Sequence, residues 1–207
     1  YRQPMSVDQV LAARDVVWPL TLPMCSPISD GAAAAVLCSG RALGRFSRAR
    51  AVRLRASVIA AGRARPIADY DQHVCRLAAQ QAYARAGIGP GDIDVAEVHD
   101  ASAFAEILQT ENLQFCAIGE GGALVESGAT RLGGRIPVNP SGGLESRGHP
   151  IGATGLAQIF ELVTQLRDEA GARQVEGARM AIAENGGGFM GVEEAAACVT
   201  ILEGPAR

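Results

Sequence analysis

At 207 residues, 48% apolar and 20% charged, the chain is long enough for one sizeable core or two small ones and too apolar to be disordered. A net charge of −3 with 4% aromatics excludes a basic, stacking-rich nucleic-acid surface as a whole-chain property. No apolar run reaches bilayer length and the first residues do not make a signal peptide, so a cytoplasmic protein is expected.

In chain order, the start Tyr1-Arg2-Gln3-Pro4-Met5 lacks an initiator methionine and reads as a fragment or one part of a divided protein. Ser6 to Val17 predicts a short helix, with Ser6 as N-cap and Val10, Leu11 and Ala13 toward the core. Pro19 and Pro23 break the chain. Asp30-Gly31 then turns it into Ala32 to Cys38, which reads as a buried strand of small residues. From Arg41 to Arg65 there are eight arginines and no acid, around a second strand from Val52 to Ala60. These arginines read as a solvated face, with attraction of a phosphorylated ligand or an acidic partner as the alternative.

A helix from Asp71 to Ala86 is closed by Gly87, with Pro90 beyond, and carries His73 as an exposed residue on its first turn. A third strand, Ile93 to Val98, delivers His99 and Asp100 at its carboxyl tip, where ligands sit in open α/β sheets. The competing reading has the pair capping the next helix, which presents Phe104, Ile107 and Leu108 on one face. Cys116 to Arg135 reads as a glycine-rich surface loop or flap. Val138 to Gly155 concentrates Pro140, Gly142, Gly143, Gly148 and Pro150 around His149, then opens into a helix with Leu156, Ile159, Phe160, Val163 and Leu166 on its apolar face. A fourth strand, Ala178 to Ala183, ends in Glu184-Asn185-Gly186-Gly187-Gly188, and a last one runs from Ala195 to Leu202.

Gly186, Gly188 and Gly191 match a dinucleotide fingerprint, but only sixteen residues follow, too few for the helix, strand and acidic ribose ligand it requires. Glycines there let backbone N–H groups approach a ligand oxygen; a glycine-rich hairpin with no role is the plainer alternative. All nineteen basic residues are arginine, so neither Schiff-base chemistry nor pyridoxal phosphate attachment can be supplied by this chain. Cys25, Cys38, Cys75, Cys116 and Cys198 form no Cys-x-x-Cys pair, which suits reduced thiols better than disulfides or zinc.

The order of elements, His99-Asp100, Asn139-Pro140-Ser141-Gly142-Gly143, Gly148-His149-Pro150-Ile151-Gly152-Ala153-Thr154-Gly155 and the final triple glycine together resemble the C-terminal half of the thiolase superfamily. Ser29-Asp30-Gly31-Ala32-Ala33-Ala34 places the resemblance nearest the sterol-carrier-protein-type and lipid-transfer thiolase-like branch. It implies an α/β fold of the layered αβαβα kind. This chain would be the C-terminal half, a five-stranded mixed sheet flanked by helices, with residues 1–30 as a lead-in segment and 31–207 as the C-terminal-type domain. The implied activity forms or cleaves a C–C bond at the α-carbon of an acyl-CoA, as an acyltransferase. CoA thioester is the substrate, and no other cofactor or metal is implied.

By the same resemblance His149 activates a nucleophilic cysteine supplied by the N-terminal half. His99 helps hold the thioester oxygen, Gly186 offers a backbone N–H to the oxyanion, and Ala101, Ser102, Asn139, Ser141, Gly142 and Gly187 border the substrate. The family's second, acid/base cysteine would stand at position 101 or 184, which hold Ala101 and Glu184, and Glu184 is the candidate substitute. A retro-aldolase acting on a β-hydroxyacyl-CoA is the alternative reaction, and a non-catalytic acyl-CoA-binding subunit the third reading. The implied partners are an N-terminal thiolase half, a second copy of the chain, and a zinc-ribbon/OB-fold CoA-binding subunit.

Overall fold

The computed structural model describes residues 3–46 and 48–205; Tyr1, Arg2, Ser47, Ala206 and Arg207 lie outside the described residues. Ser6 does cap a helix. Its hydroxyl accepts from the Gln9 amide at 3.2 Å while the Gln9 side chain accepts from the Ser6 amide at 2.8 Å, a reciprocal capping box. The helix is shorter than its pattern suggests: α1 spans Val7–Leu11, and Leu11 is exposed. The β-branched pair Val16-Val17 and Pro19 favour extended backbone, so the chain turns instead into a hairpin of β1 (Asp15–Val17) and β2 (Leu20–Thr21).

The main sheet contains β3 (Arg53–Ala61), β4 (Val95–Glu97), β5 (Met180–Gly187) and β6 (Ala196–Glu203), in the order β3-β6-β5-β4. β6 is antiparallel to both neighbours, and β4 runs parallel to β5. Four strands are present where five were expected. The missing one is Ala32 to Cys38, which forms no strand pairing among the described residues and leaves Val36 at 89% and Leu37 at 83% exposure. A run of small apolar residues becomes a strand only when an edge is offered to it, and here the edge beyond β4 is taken otherwise. The Val138 segment lies there in a single parallel bridge, with the Ala96 amide donating to the Pro137 carbonyl at 3.0 Å and the Asn139 amide to the Ala96 carbonyl at 2.8 Å.

Helix α2 (Val74–Ala86) covers one face of the sheet and α6 (Thr154–Leu166) the other. Small residues on α2, Cys75, Ala78, Ala79, Ala82 and Ala86, are all buried, which lets the helix lie close against Val58, Ile182, Val199 and Ile201. Each of those branched side chains contributes about 1.5–3 kcal/mol by leaving water. Gly87, at φ 70°, ends the helix. Its start is at Val74, three residues later than the pattern predicts, because Tyr70–Gln72 forms a 3₁₀ turn. His73 is therefore the N-cap, buried and not exposed: its Nδ1 accepts from the Cys75 amide at 3.3 Å.

α6 buries part of the face its apolar spacing indicates: Leu166 is buried and Ile159 and Val163 pack on the core, joined by Leu162, Thr154, Gln158, Glu161 and Gln165, while Leu156 and Phe160 face out, Phe160 at 63% exposure. Burying glutamines is tolerated because their bonds are made: Gln158 donates to the Glu184 carbonyl and accepts from Asn185, and Gln165 accepts from the Val175 amide. Residues 116–135 are not a bare flap, since they contain α4 (Gly121–Glu126), packed so closely on α3 (Ala103–Asn112) that a Cβ at Gly121 would stand 2.8 Å from Ile107. On α3 the buried residues are Gln109, Thr110 and Asn112, and Phe104 is exposed.

Candidate active site

Three segments converge at the carboxyl ends of β4 and β5. The first is the tip of β4 with His99 and Asp100, the second the loop 138–153 with His149, and the third the lead-in residues Cys25 to Ser29. The lead-in works as a strap. The Ser26 amide donates to the Ala101 carbonyl at 3.1 Å and the His149 amide to the Pro27 carbonyl at 3.1 Å, so one short stretch fastens both histidine-bearing segments. Gly148, at φ 100°, is where the strap and loop touch: a Cβ there would stand 2.4 Å from the Ser29 hydroxyl. An open cleft of about 420 Å³ runs beside the contact, between Ser29 to Ala33 and Pro150 to Ala153.

Loop 138–153 is held by buried polar groups of the β4 region. Asp100 accepts from the Leu144 amide at 2.8 Å and the Glu145 amide at 3.4 Å, fixing the start of α5 (Gly143–Arg147). Glu97, fully buried, accepts from the Ser141 amide at 3.1 Å and its hydroxyl at 2.7 Å. Asn139, at φ 51°, accepts from the Val98 amide at 2.8 Å and donates to Glu106 at 2.8 Å. Burial pushes both Glu97 and Asp100 up to about 7.

These clamps bring the two imidazoles together. His99 Nε2 and His149 Nε2 stand 3.4 Å apart, with ring centroids separated by 5.0 Å and planes tilted by 56°. Thr154 fixes the orientation of His149: its Oγ1 stands 2.8 Å from Nδ1 and 3.1 Å from the Pro150 carbonyl. With Nδ1 so engaged, His149 turns Nε2 toward His99. Burial, then the Arg147 charge, lowers its basicity; for His99 the causes are burial and then His149, opposed by Glu194 and a hydrogen bond to the Gly186 backbone. Near neutral pH the pair is a set of free bases, the form able to remove a thiol proton.

The other sequence-predicted residues divide in two. Ala101 is exposed on the β4 tip beside His99, and Gly186 adjoins the His99 ring through its backbone, in register with Ala197 of β6. Gly187 ends β5 and is exposed. Ser102 caps α3, accepting from the Ala105 amide at 3.3 Å, and Gly142 is the left-handed N-cap of α5. Ser141 and Asn139 have their polar atoms engaged in the clamps just described. Glu184 is fully buried. One oxygen accepts from the His99 amide at 3.1 Å and the other from the Cys75 thiol at 3.2 Å, and burial pushes the carboxyl up to about 8. Both of its oxygens are thus engaged, by the His99 amide and the Cys75 thiol.

Sequence reasoning missed Thr154, Glu194 and the strap at Cys25. For Thr154 a signal existed: it follows His149 by five residues, at the turn where the loop becomes α6. Among the described residues one group, His73, Cys75 and Glu194, brings three potential metal-ligand atoms within 4.8 Å of one another. Hydrogen bonding turns it to another use. With Nδ1 of His73 accepting from the Cys75 amide, the proton sits on Nε2, 3.6 Å from Glu194 Oε2, and burial together with two carboxylates pushes the Cys75 thiol well up.

The profile of the thiolase C-terminal domain-like family matches residues 62–203. The chain belongs to that family. Among this thiolase-type chain's relatives are an acetyl-CoA acetyltransferase of Methanothermobacter thermautotrophicus, 48% identical over 90% of this chain and 49% of the relative, and sterol carrier protein 2 of Homo sapiens, 40% identical over 89% and 35%. The benzoylsuccinyl-CoA thiolase subunit BbsB of Thauera aromatica is 39% identical over 85% and 46%. These relatives place the chain in the sterol-carrier-protein-type branch, and it spans half or less of their lengths. Among solved structures, the Ltp2-ChsH2(DUF35) aldolase matches the whole chain and 53% of its own with a TM-score of 0.82 at 22% identity, which shows the shared fold. No helix among the described residues is long and apolar enough to cross a membrane.

Proposed function

We propose that this chain supplies the histidine-bearing half of a cytoplasmic acyl-CoA site that forms or cleaves a C–C bond at the α-carbon of the thioester, by acyl transfer. The observation that carries the reading is the placement of His149: Nδ1 engaged by Thr154 and Nε2 3.4 Å from His99. A base so prepared takes the proton of a cysteine thiol from the N-terminal half. The resulting thiolate attacks the thioester carbonyl while His99 donates to the oxygen on which charge develops. Collapse of the adduct breaks the bond to CoA sulfur, and the departing CoA thiolate takes up the proton held on His149, leaving an acyl-enzyme. The N-terminal half fits the outward apolar face of α6, Leu156 and Phe160, and the unpaired stretch Ala32 to Cys38. A second copy and a zinc-ribbon/OB-fold CoA-binding subunit complete the proposed assembly.

His149→Ala in the complete protein should abolish mass-detected acyl-enzyme formation from an acyl-CoA, and unchanged labelling would refute the role. Ala101, which offers no polar side-chain atom, and the sealed position of Glu184 favour one second reading, retro-aldol cleavage of a β-hydroxyacyl-CoA, which needs no nucleophilic thiol. Release of a ketone or aldehyde from such a substrate, with no acyl-enzyme, would select it.

A further inference from the structure

The two imidazoles of the site stand in a relation that proton transfer alone does not require. Nε2 of His99 and Nε2 of His149 are 3.4 Å apart. That gap is longer than the roughly 2.7–3.2 Å of an ordinary hydrogen bond from an N–H donor. It matches the separation of two ligand nitrogens on one tetrahedral ion, since Zn–N bonds of about 2.0–2.1 Å put such a pair about 3.3–3.4 Å apart. The ring centroids are 5.0 Å apart and the planes are tilted by 56°. A head-on N–H···N contact at this distance would hold the centroids farther apart, so the nitrogens are turned off a common line, as two ligands of one ion are.

Behind each ring the fold supplies what a metal-bound histidine needs. A neutral ring that gives Nε2 to a cation keeps its proton on Nδ1 and needs an oxygen to receive it. Thr154 Oγ1 stands 2.8 Å from His149 Nδ1, and the His99 ring is hydrogen-bonded to the Gly186 backbone. Arg147, whose charge would oppose a cation, is drawn to within 3.9 Å of buried Glu97. Both rings are only half-buried, so an ion can reach them. The rival group of His73, Cys75 and Glu194 fails the same requirement: the Cys75 amide donates to His73 Nδ1 at 3.3 Å, so the ring keeps its proton on Nε2, where an ion would bind.

We propose that His99 and His149 form a chelating site for a divalent transition-metal ion of the zinc class, which silences the site by taking the lone pairs on which proton transfer depends. Imidazole ligands select zinc, copper and nickel over magnesium and calcium. Two protein nitrogens leave the other positions of the ion open, for water or for the cysteine thiolate of the N-terminal half. The silencing rests on the function proposed above; the chelate does not.

The test uses the complete protein, with cobalt chloride as a coloured stand-in for zinc and zinc chloride as the inhibitor. Cobalt titration should saturate at one ion per chain with the intense visible bands of a four-coordinate centre, and His99→Asn and His149→Asn should each lose it. Thr154→Val, which leaves both rings in place, should weaken cobalt binding by on the order of 10-fold. His73→Asn, which keeps an N-cap acceptor, should bind as the wild type does. Saturating zinc chloride should lower kcat on an acyl-CoA by on the order of 10²-fold, the share a positioned base supplies, and EDTA should restore it. Failure to bind cobalt overturns the proposal. So does cobalt retained by either His99→Asn or His149→Asn, or lost in His73→Asn instead. A cobalt site that needs both histidines, in a protein whose turnover zinc leaves untouched or which turns over no acyl-CoA, supports the chelate and sinks the proposed function.

Discussion

Glu184→Gln isolates the cost of one carboxyl sealed inside the fold. Glu184 is fully buried and titrates at about 8, well above the ordinary carboxylate value that it regains on unfolding. The folded state therefore binds more protons than the unfolded one between those values, and stability falls as pH rises toward 8. At 1.36 kcal/mol per pH unit, the interval from pH 6 to pH 8 gives a ceiling of about 2.7 kcal/mol from this group alone. At roughly 2–4 °C per kcal/mol, that corresponds to a Tm loss of about 5–10 °C. Glutamine keeps an oxygen to accept the His99 amide proton and has no proton to lose. Glu97 and Asp100, at about 7, slope the same way and remain in both proteins, so the difference between the curves belongs to position 184. Urea and thermal denaturation of wild type and Glu184→Gln at half-unit steps from pH 5.5 to 8.5 measure it. Curves that run parallel within about 0.5 kcal/mol would refute the assigned burial of an ionisable proton.

Thr154→Val removes the hydroxyl that orients His149, so kcat should fall by roughly 10² with little loss of stability, read as steady-state rate beside Tm. Gly143→Ala would set a Cβ 2.0 Å from Asp100 Oδ2 at φ 59°, and should cost at least ~2–3 kcal/mol in chemical denaturation as the α5 clamp opens. Phe160→Arg, on an exposed position, should change the stability of this chain by under about 0.5 kcal/mol, yet abolish co-purification with an N-terminal thiolase half; retained association would remove α6 from the interface.

Much of this was legible in the sequence where local chemistry decides. Ser6 ahead of a helix, Gly87 after one and the glycine-proline loop around His149 all follow from which backbone shapes those residues allow. The His99 tip was found because a strand, a charge pair and a helix follow one another directly. The failures share one cause, that periodicity reports an apolar face without saying what will cover it. On α6 the spacing found Ile159, Val163 and Leu166, which pack on the core, together with Leu156 and Phe160, which this chain leaves open, while Gln158, Glu161 and Gln165 turned inward to bonds that only the folded sheet provides. Ala32 to Cys38 fails likewise, since strand propensity supplies no partner. His73 and Glu194 were invisible because their burial depends on contacts between α2, α3 and the β5–β6 turn, far apart in sequence.

The strap at Cys25 to Ser29 sits some thirty residues ahead of the segment the family profile recognises, yet two of its backbone bonds fasten both imidazole-bearing segments. Anyone shuffling modules among such proteins, or trimming one for expression, would sever both bonds by cutting at residue 62, where the family match begins. The useful breakpoint lies upstream of Cys25, in a stretch that contributes only backbone to the two histidine segments.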